Sequence, residues 1–352
     1  MPLGSMVGAQ WYNLTGARES TGGWDVELLF ATAIDQVNDP NGRSAVGARA
    51  TQAKNLGLRV LVRVDHAPGQ ALPPTGDDAA RTEYVLFLQA ICQDAVYRDN
   101  VFGYIIGNEP NLRAENQRLN WAAGQRLTPE WYARICVGFG ADPGDTGNAY
   151  SSIKTFQPNA WVLVGGVAPW SGDSGSDDAD RWQRDEPWLN YFHAVCRRIS
   201  SVGASIGRWP DAFAIHAYGR TGLPGSDGFS REEPHREVPF GTQGAQGGFR
   251  VYRDWLAIID ATGFDRALPI FVTETNTLTV APSSQSYPGG WYLEALQELR
   301  AAGPRFYALC WFVDNDPSGG WVNERLTNAQ GNCVLANEDF NAAIAADRPV
   351  TG

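Results

Sequence analysis

The chain has 352 residues, of which 43% are hydrophobic and 19% charged, and a formal net charge of -11. That charge argues against nucleic acid as a partner, because phosphate recognition needs clustered Lys and Arg, and it suits an uncharged ligand better. No apolar stretch approaches twenty residues and no basic leader precedes an apolar core, so neither a membrane span nor a signal peptide is visible.

Met1-Pro2-Leu3-Gly4-Ser5 reads as a cloning-tag remnant, so elements are assigned from residue 6 onward. Met6 to Tyr12 is predicted as a first strand and Val26 to Ile34 as a second, with a Gly-rich link between them too short and polar for a helix. A helix over Ser44 to Asn55, the strand Leu58 to Val64 and a helix over Asp78 to Tyr97 follow. Val85, Leu88, Cys92 and Val96 give that last helix an apolar stripe at helical spacing. Next come the strand Val101 to Gly107, a helical region within Thr128 to Thr155 broken near Pro143-Gly144, and the strand Trp161 to Gly165. A helix around Trp188 to Ser200 leads to the sixth strand, Asp211 to His216, and Tyr252, Trp255, Leu256 and Ile259 mark the following helix. Leu268 to Thr273 is the seventh strand, Gly290 to Ala302 a helix, Phe306 to Phe312 the eighth strand and Asn337 to Ala345 a closing helix.

Eight strands alternating with helices, each crossover long enough for a parallel return, predict the α/β class and a single (β/α)8 TIM barrel over residues 6–352. The longer polar stretches, 67–77, 111–127, 168–185, 219–248 and 314–331, all follow strands, where such a barrel carries its functional loops. Trp121, Trp170, Trp182 and Trp321 lie in these loops. Each suits the C–H face of a sugar ring, although anchoring of the loop is the commoner role for any one of them. The cysteines Cys92, Cys136, Cys196, Cys310 and Cys333 lack metal-site spacing and read as buried thiols, with one disulfide left open.

Two short motifs carry the chemistry. Gly107-Asn108-Glu109-Pro110 closes the fourth strand and Phe271-Val272-Thr273-Glu274-Thr275-Asn276 closes the seventh, so two acids arrive at strand C-termini that face one another across a barrel mouth. A lone Glu after a strand is usually a solvated or ion-paired loop residue; two on opposed strands are more specific. Cleavage of a glycosidic bond asks for such a pair, one acid to protonate the departing oxygen and one carboxylate to trap the oxocarbenium-like carbon. An ionised Glu274 would favour the protonated form of Glu109, so environment would separate the roles.

On these residues the chain resembles the clan A glycoside hydrolases, the superfamily of cellulase-like, mannanase-like and xylosidase-like barrels. The resemblance covers the whole barrel. It implies that Asn108-Glu109 carries the acid/base and Glu274 the nucleophile. The clan's His and Tyr after strand six match Ile215-His216-Ala217-Tyr218, and its aromatic residue after strand eight matches Cys310-Trp311-Phe312. Asn108 is then expected to hold the sugar 2-hydroxyl, Tyr218 or His216 to orient Glu274, and Trp311 to form the floor under the sugar. Arg63-Val64-Asp65-His66 at the end of strand three and Trp11 after strand one are further candidate sugar contacts, Arg63 and Asp65 being equally well read as a buried ion pair. Some cellulase-like members carry an Arg at the end of strand two; Leu28 to Ile34 has none, which leaves Arg63 to support the nucleophile.

The expected activity is retaining hydrolysis of β-linked oligo- or polysaccharides by double displacement, with carbohydrate as the partner and neither metal nor cofactor. Transglycosylation would use the same glutamates. A metal-dependent sugar isomerase would use Glu109, His216 and Glu274 as ligands, but the fifth strand ends without an acid and the four histidines include no His-x-His pair. A carbohydrate-binding barrel without turnover is the remaining alternative.

Overall fold

The structure, a computed structural model, describes residues 5–15, 23–32, 39–138, 144–174, 180–219, 234–264, 267–277, 287–317, 321, 324–326 and 334–347. Its strands in chain order are β1 (Val7–Gln10), β2 (Trp24–Phe30), β3 (Arg59–Asp65), β4 (Val101–Ile106), β5 (Trp161–Val164), β6 (Ala212–His216), a two-residue hairpin pair β7 (Pro239–Phe240) and β8 (Ala245–Gln246), then β9 (Ile270–Thr275) and β10 (Phe306–Trp311). All except the hairpin close into one parallel barrel in the order β1-β10-β9-β6-β5-β4-β3-β2, the predicted architecture. The helices are α1 (Arg43–Asn55), α2 (Asp78–Gln93), α3 (Ala95–Asn100), α4 (Pro129–Val137), α5 (Ala149–Phe156), α6 (Pro187–Ile206), α7 (Val251–Ala261), α8 (Trp291–Ala302) and α9 (Val334–Ala346).

Alternation along each strand sorts side chains into two cores. Val60, Val62 and Val64 of β3 join the apolar layer beneath the helices, whereas Leu61 joins Trp24, Ile105, Leu163, Ala214 and Phe271 inside the barrel. Rings fill the lower lumen: Trp24 meets Phe102 at 5.1 Å and Phe271 at 4.9 Å, edge to face, with the Arg59 guanidinium 5.4 Å above the Trp24 ring. The barrel bottom is therefore plugged, and the polar residues are left at the C-terminal mouth.

Short polar residues set the helix starts. Asp77, Thr128 and Asn148 accept hydrogen bonds from the backbone N–H of Ala80, Trp131 and Ser151 at the first turns of α2, α4 and α5. The helix predicted over Asp78 to Tyr97 is divided for the same reason: Asp94 is extended and its side chain caps Val96 N, ending α2 and starting α3. The predicted break within 128–155 separates α4 from α5, although Pro143 itself lies outside the described residues. Strand β2 starts earlier than predicted because Trp24 and Asp25 are already buried and paired with β3. Ser5, read as tag, is 2% exposed and its hydroxyl donates to Asp347 at 2.7 Å, so at least that residue is part of the packing. Cys92, Cys136, Cys196 and Cys310 are buried free thiols; Cys333 lies outside the described residues. Among the described residues no helix is long and apolar enough to cross a membrane.

One buried polar cluster lies away from the mouth. Asp25 and Glu27 share the outer face of β2, both fully buried, with Arg49 of α1 bonded to Glu27 and Tyr12 N donating to Asp25. Burial first, and then the Glu27 charge, raises the Asp25 carboxyl well above its ordinary range. A carboxyl raised on folding holds its proton more tightly folded than unfolded, so its stabilising contribution is lost as pH rises through the raised value. Asp25→Asn keeps the acceptor for Tyr12 N and removes the charge. Thermal melts should place its Tm at pH 8 about 2 °C or more above the wild type, with a smaller loss between pH 5 and pH 8; a lower Tm at pH 8 would contradict this reading of the pair.

Candidate active site

Glu274 reaches the lumen because β9 is irregular. Phe271 faces inside the barrel, so strict alternation would aim Thr273 and Thr275 inward and Glu274 outward. The register shifts by one residue against both neighbours, between Ile215/His216 on the β6 side and Leu309/Trp311 on the β10 side. Such a bulge re-aims everything beyond it. Glu274, 4% exposed, is then met by donors from across the mouth: Gln10 Nε2 to Oε1 at 2.7 Å, Arg63 Nη1 to Oε1 at 2.9 Å and Tyr218 OH to Oε2 at 2.5 Å. These donors stabilise the ionised carboxylate against its burial.

Glu109 is held by backbone rather than by cations. Gly107 (φ +70°) turns the chain at the end of β4, and Glu109 itself has φ +40°, an uncommon conformation for a residue with a side chain. Its N–H donates to Gly166 O at 2.8 Å, and its carbonyl accepts from Leu112 N at 2.9 Å and Asn116 Nδ2 at 3.3 Å. The neighbouring strand is shaped to allow this. A Cβ on Gly165 would stand 2.4 Å from Gly107 O, so only glycine lets β5 approach the turn.

His216 joins the two acids. Its Nδ1 lies 2.7 Å from Glu109 Oε1 and 3.4 Å from Glu274 Oε2, and one donor atom from each of the three residues lies within 4.8 Å of the others. Trp255 Nε1 donates to the His216 carbonyl at 3.0 Å, and the ring occupies space opened by Gly166, where a Cβ would meet it at 2.6 Å. Burial works against a charge on His216, yet the Glu274 and Glu109 carboxylates outweigh it and raise its pKa. Arg63 behaves alike: burial is opposed by Asp65 and Glu274, and the net shift is upward. Asp65, 3.3 Å from Arg63 Nε, is pushed up to about 7, mainly by burial and against the pull of Arg63. The ion pair and the link to Glu274 thus coexist at Arg63.

The other sequence candidates divide. Asn108 is 3% exposed and lies near enough to Glu115 to favour that carboxyl's charged form. His66, at the β3 end, has a buried Nδ1 without a partner and a pKa lowered to about 4, first by burial and then by Arg118. Trp11 (φ +50°) packs with Leu28 and Val313 at the mouth, its buried Nε1 also unpartnered. Trp311 is a correction. It is 0% exposed, packs edge to face on Tyr287 and Tyr292, and its Nε1 donates to Glu324 O in the layer outside the barrel. Cys310 takes the inward position, so the next aromatic at the mouth is Phe312, half-buried beside Trp321, which is 46% exposed, at 5.0 Å. Of the loop tryptophans, Trp121 and Trp170 donate their indole N–H to backbone carbonyls and Trp182 packs against the core, as anchors do.

Two residues at the mouth, Gln10 and Glu115, escape a sequence reading by motif, and Phe312 stands in the strand-eight motif only as the neighbour of Trp311. Only Gln10 carried a signal, as the polar residue closing the apolar run Val7-Gly8-Ala9. The triad of Glu109, His216 and Glu274 has the residue types of a divalent-metal site. Arg63 stands 2.9 Å from Glu274 Oε1, however, and that fixed positive charge opposes a cation there. The geometry around His216 gives a direct check. Gly166→Ala should push the imidazole off Glu109 and bring the His216 pKa, followed by NMR, back down from its raised value while the protein stays folded; an unchanged His216 titration would show that the ring keeps its place.

No protein-family model and no curated protein matches the chain. Solved structures share its barrel at low identity. A glucosidase from Croceicoccus marinus superposes with TM-score 0.62 at 12% identity over 99% of this chain and 69% of that one. An endo-1,4-beta-mannanase from Rhizomucor miehei gives 0.54 at 13% over 97% and 95%, and Thermotoga maritima Cel5A gives 0.51 at 14% over 97% and 96%. At such identities the likeness is one of fold.

Proposed function

We propose that the protein is a retaining glycoside hydrolase acting on β-linked oligo- or polysaccharides. The observation that carries the reading is the convergence of Glu109 and Glu274 on one point of the mouth in unlike surroundings. Glu274 is ringed by Gln10, Arg63 and Tyr218, all donors, and is suited to stay ionised and attack. Among the described residues the Glu109 carboxyl is bonded to His216 alone, and it is the group suited to carry a proton to the leaving oxygen.

The steps follow from that division. A Glu274 oxygen forms a bond to the anomeric carbon as the glycosidic C–O bond breaks, and the Glu109 proton passes to the departing oxygen. Water then gives a proton back to Glu109 and its oxygen displaces Glu274, restoring the starting anomer. Asn108, beside the acid, is placed to donate to the sugar 2-hydroxyl, an interaction that strengthens as C1 gains positive charge. Phe312, beside the strand that carries Glu274, takes the sugar-facing place first given to Trp311.

Retention is supported by spacing. One oxygen of each glutamate lies within 4.8 Å of the other; that oxygen-to-oxygen distance agrees better with carboxyl groups about 5–5.5 Å apart, as direct attack asks, than with the roughly 6.5–9.5 Å that leaves room for an attacking water. The endo-1,4-beta-mannanase among the fold neighbours favours a β-linked sugar substrate.

The test is substitution of the nucleophile. Glu274→Gly should lower turnover of aryl β-glycosides by about 10⁴-fold or more, and azide should restore it with release of the α-glycosyl azide. A folded variant that keeps most of its activity, or wild-type hydrolysis that releases the α-sugar first, would overturn the reading.

A further inference from the structure

Helix α4 reaches under the turn that carries Glu109. Its N-terminus is fixed by the Thr128 cap and by Trp131, whose Nε1 donates to Pro73 O at 2.9 Å. The next residue, Tyr132, is fully buried and turns its hydroxyl to the ends of two strands. Cα pairing between β4 and β5 stops at Ile106 and Val164. Just beyond that pair the Tyr132 hydroxyl donates to Ile106 O at 2.9 Å and accepts from Gly165 N at 2.6 Å.

These bonds complete a closed circuit. From Ile106 the chain runs through Gly107 and Asn108 to Glu109, whose N–H donates to Gly166 O at 2.8 Å. Gly166 follows Gly165, and Gly165 returns through the hydroxyl to Ile106. A left-handed backbone such as that of Glu109 (φ +40°) persists only where its surroundings over-determine it. Other helix-borne hydroxyls also meet the barrel: Tyr84 OH donates to Val64 O at 2.7 Å in β3, and Tyr292 OH to Leu309 O at 2.6 Å in β10. Tyr132 differs in joining two strands and in closing the circuit on Glu109. A Tyr hydroxyl both donates and accepts, so it serves the two strands at once.

We propose that Tyr132 is a positioning residue for the acid: its hydroxyl splints the ends of β4 and β5 and so holds the Glu109 carboxyl where its proton reaches the leaving oxygen. The inference rests on the reading of Glu109 given above. It gives Tyr132 no contact with substrate and no part in the attack by Glu274. Misplacing a reacting group by about 1 Å can cost on the order of 100-fold in rate.

The experiment compares kcat/KM on a phenyl β-glycoside, whose leaving oxygen needs a proton, with kcat/KM on the 2,4-dinitrophenyl β-glycoside of the same sugar, whose leaving group departs as the anion. The ratio of the first to the second cancels any loss of folded enzyme. Glu109→Ala should lower that ratio about 100-fold or more, and Tyr132→Phe roughly tenfold. Tyr132→4-aminophenylalanine keeps a donor for Ile106 O but is a poor acceptor from Gly165 N, so it should lower the ratio about threefold even if Tyr132→Phe folds poorly. The double variant Glu109→Ala/Tyr132→Phe should fall no lower than Glu109→Ala. Tyr292→Phe, which removes a like hydroxyl at β10 across the barrel from β4, should leave the ratio unchanged. Equal losses on both substrates in the Tyr132 variants, a further fall in the double variant, or a Tyr292→Phe ratio as low as that of Tyr132→Phe would overturn the inference alone. A ratio unchanged in Glu109→Ala would remove the reading of Glu109, and the inference with it.

Discussion

A buried carboxylate at Glu274 is the constraint on which the mouth of this barrel depends. Taking such a charge out of water costs several kcal/mol unless donors replace the lost hydration. Gln10 from β1, Arg63 from β3 and Tyr218 from beyond β6 supply them. These residues are distant in sequence and meet only because the sheet closes. Closure is thus a condition of the site's electrostatics as well as of the fold: an open sheet would leave Gln10 and Arg63 far from β9.

Small departures from regular structure then aim the groups. The bulge in β9 turns Glu274 inward, and glycines at 165 and 166 remove Cβ atoms where the ends of β4 and β5 and the His216 ring crowd together. Glu109 is left in a left-handed backbone that costs of order 1 kcal/mol or more and is held by Gly166 O, Leu112 N and Asn116. The contrast between the acids follows from these surroundings. Glu274 sits among donors, one of them a fixed guanidinium, while Glu109 has a backbone cradle and an imidazole.

Much of this was legible in the chain. Buried parallel strands are short apolar runs, so the ends of β4 and β9 announce themselves through Asn108-Glu109 and Glu274, and His216 and Tyr218 close β6 in the same manner. Arg63 could be paired with either Asp65 or Glu274 on sequence grounds; the structure has it touch both. Facing was harder to read. An irregular register between Phe306 and Ala308 puts both Tyr307 and Ala308 inside the barrel, which sends Trp311 outward and gives Phe312 the mouth. No local pattern reveals such a slip, because β10 is apolar on both faces. Glu115 was hidden for a different reason: it lies in a polar loop, which the three-way bond of the Asn116 amide folds back on the 109–112 carbonyls.

The central claim is that Glu274, ionised and oriented by its donors, bonds to the anomeric carbon. Incubation with an aryl 2-deoxy-2-fluoro-β-glycoside, which slows release of the covalent species, followed by mass spectrometry of the intact protein and its peptides, tests this most directly. The account predicts one added fluorosugar per chain, carried by the peptide that contains Glu274. An active enzyme that acquires no label, or carries it on Glu109 or elsewhere, would contradict it.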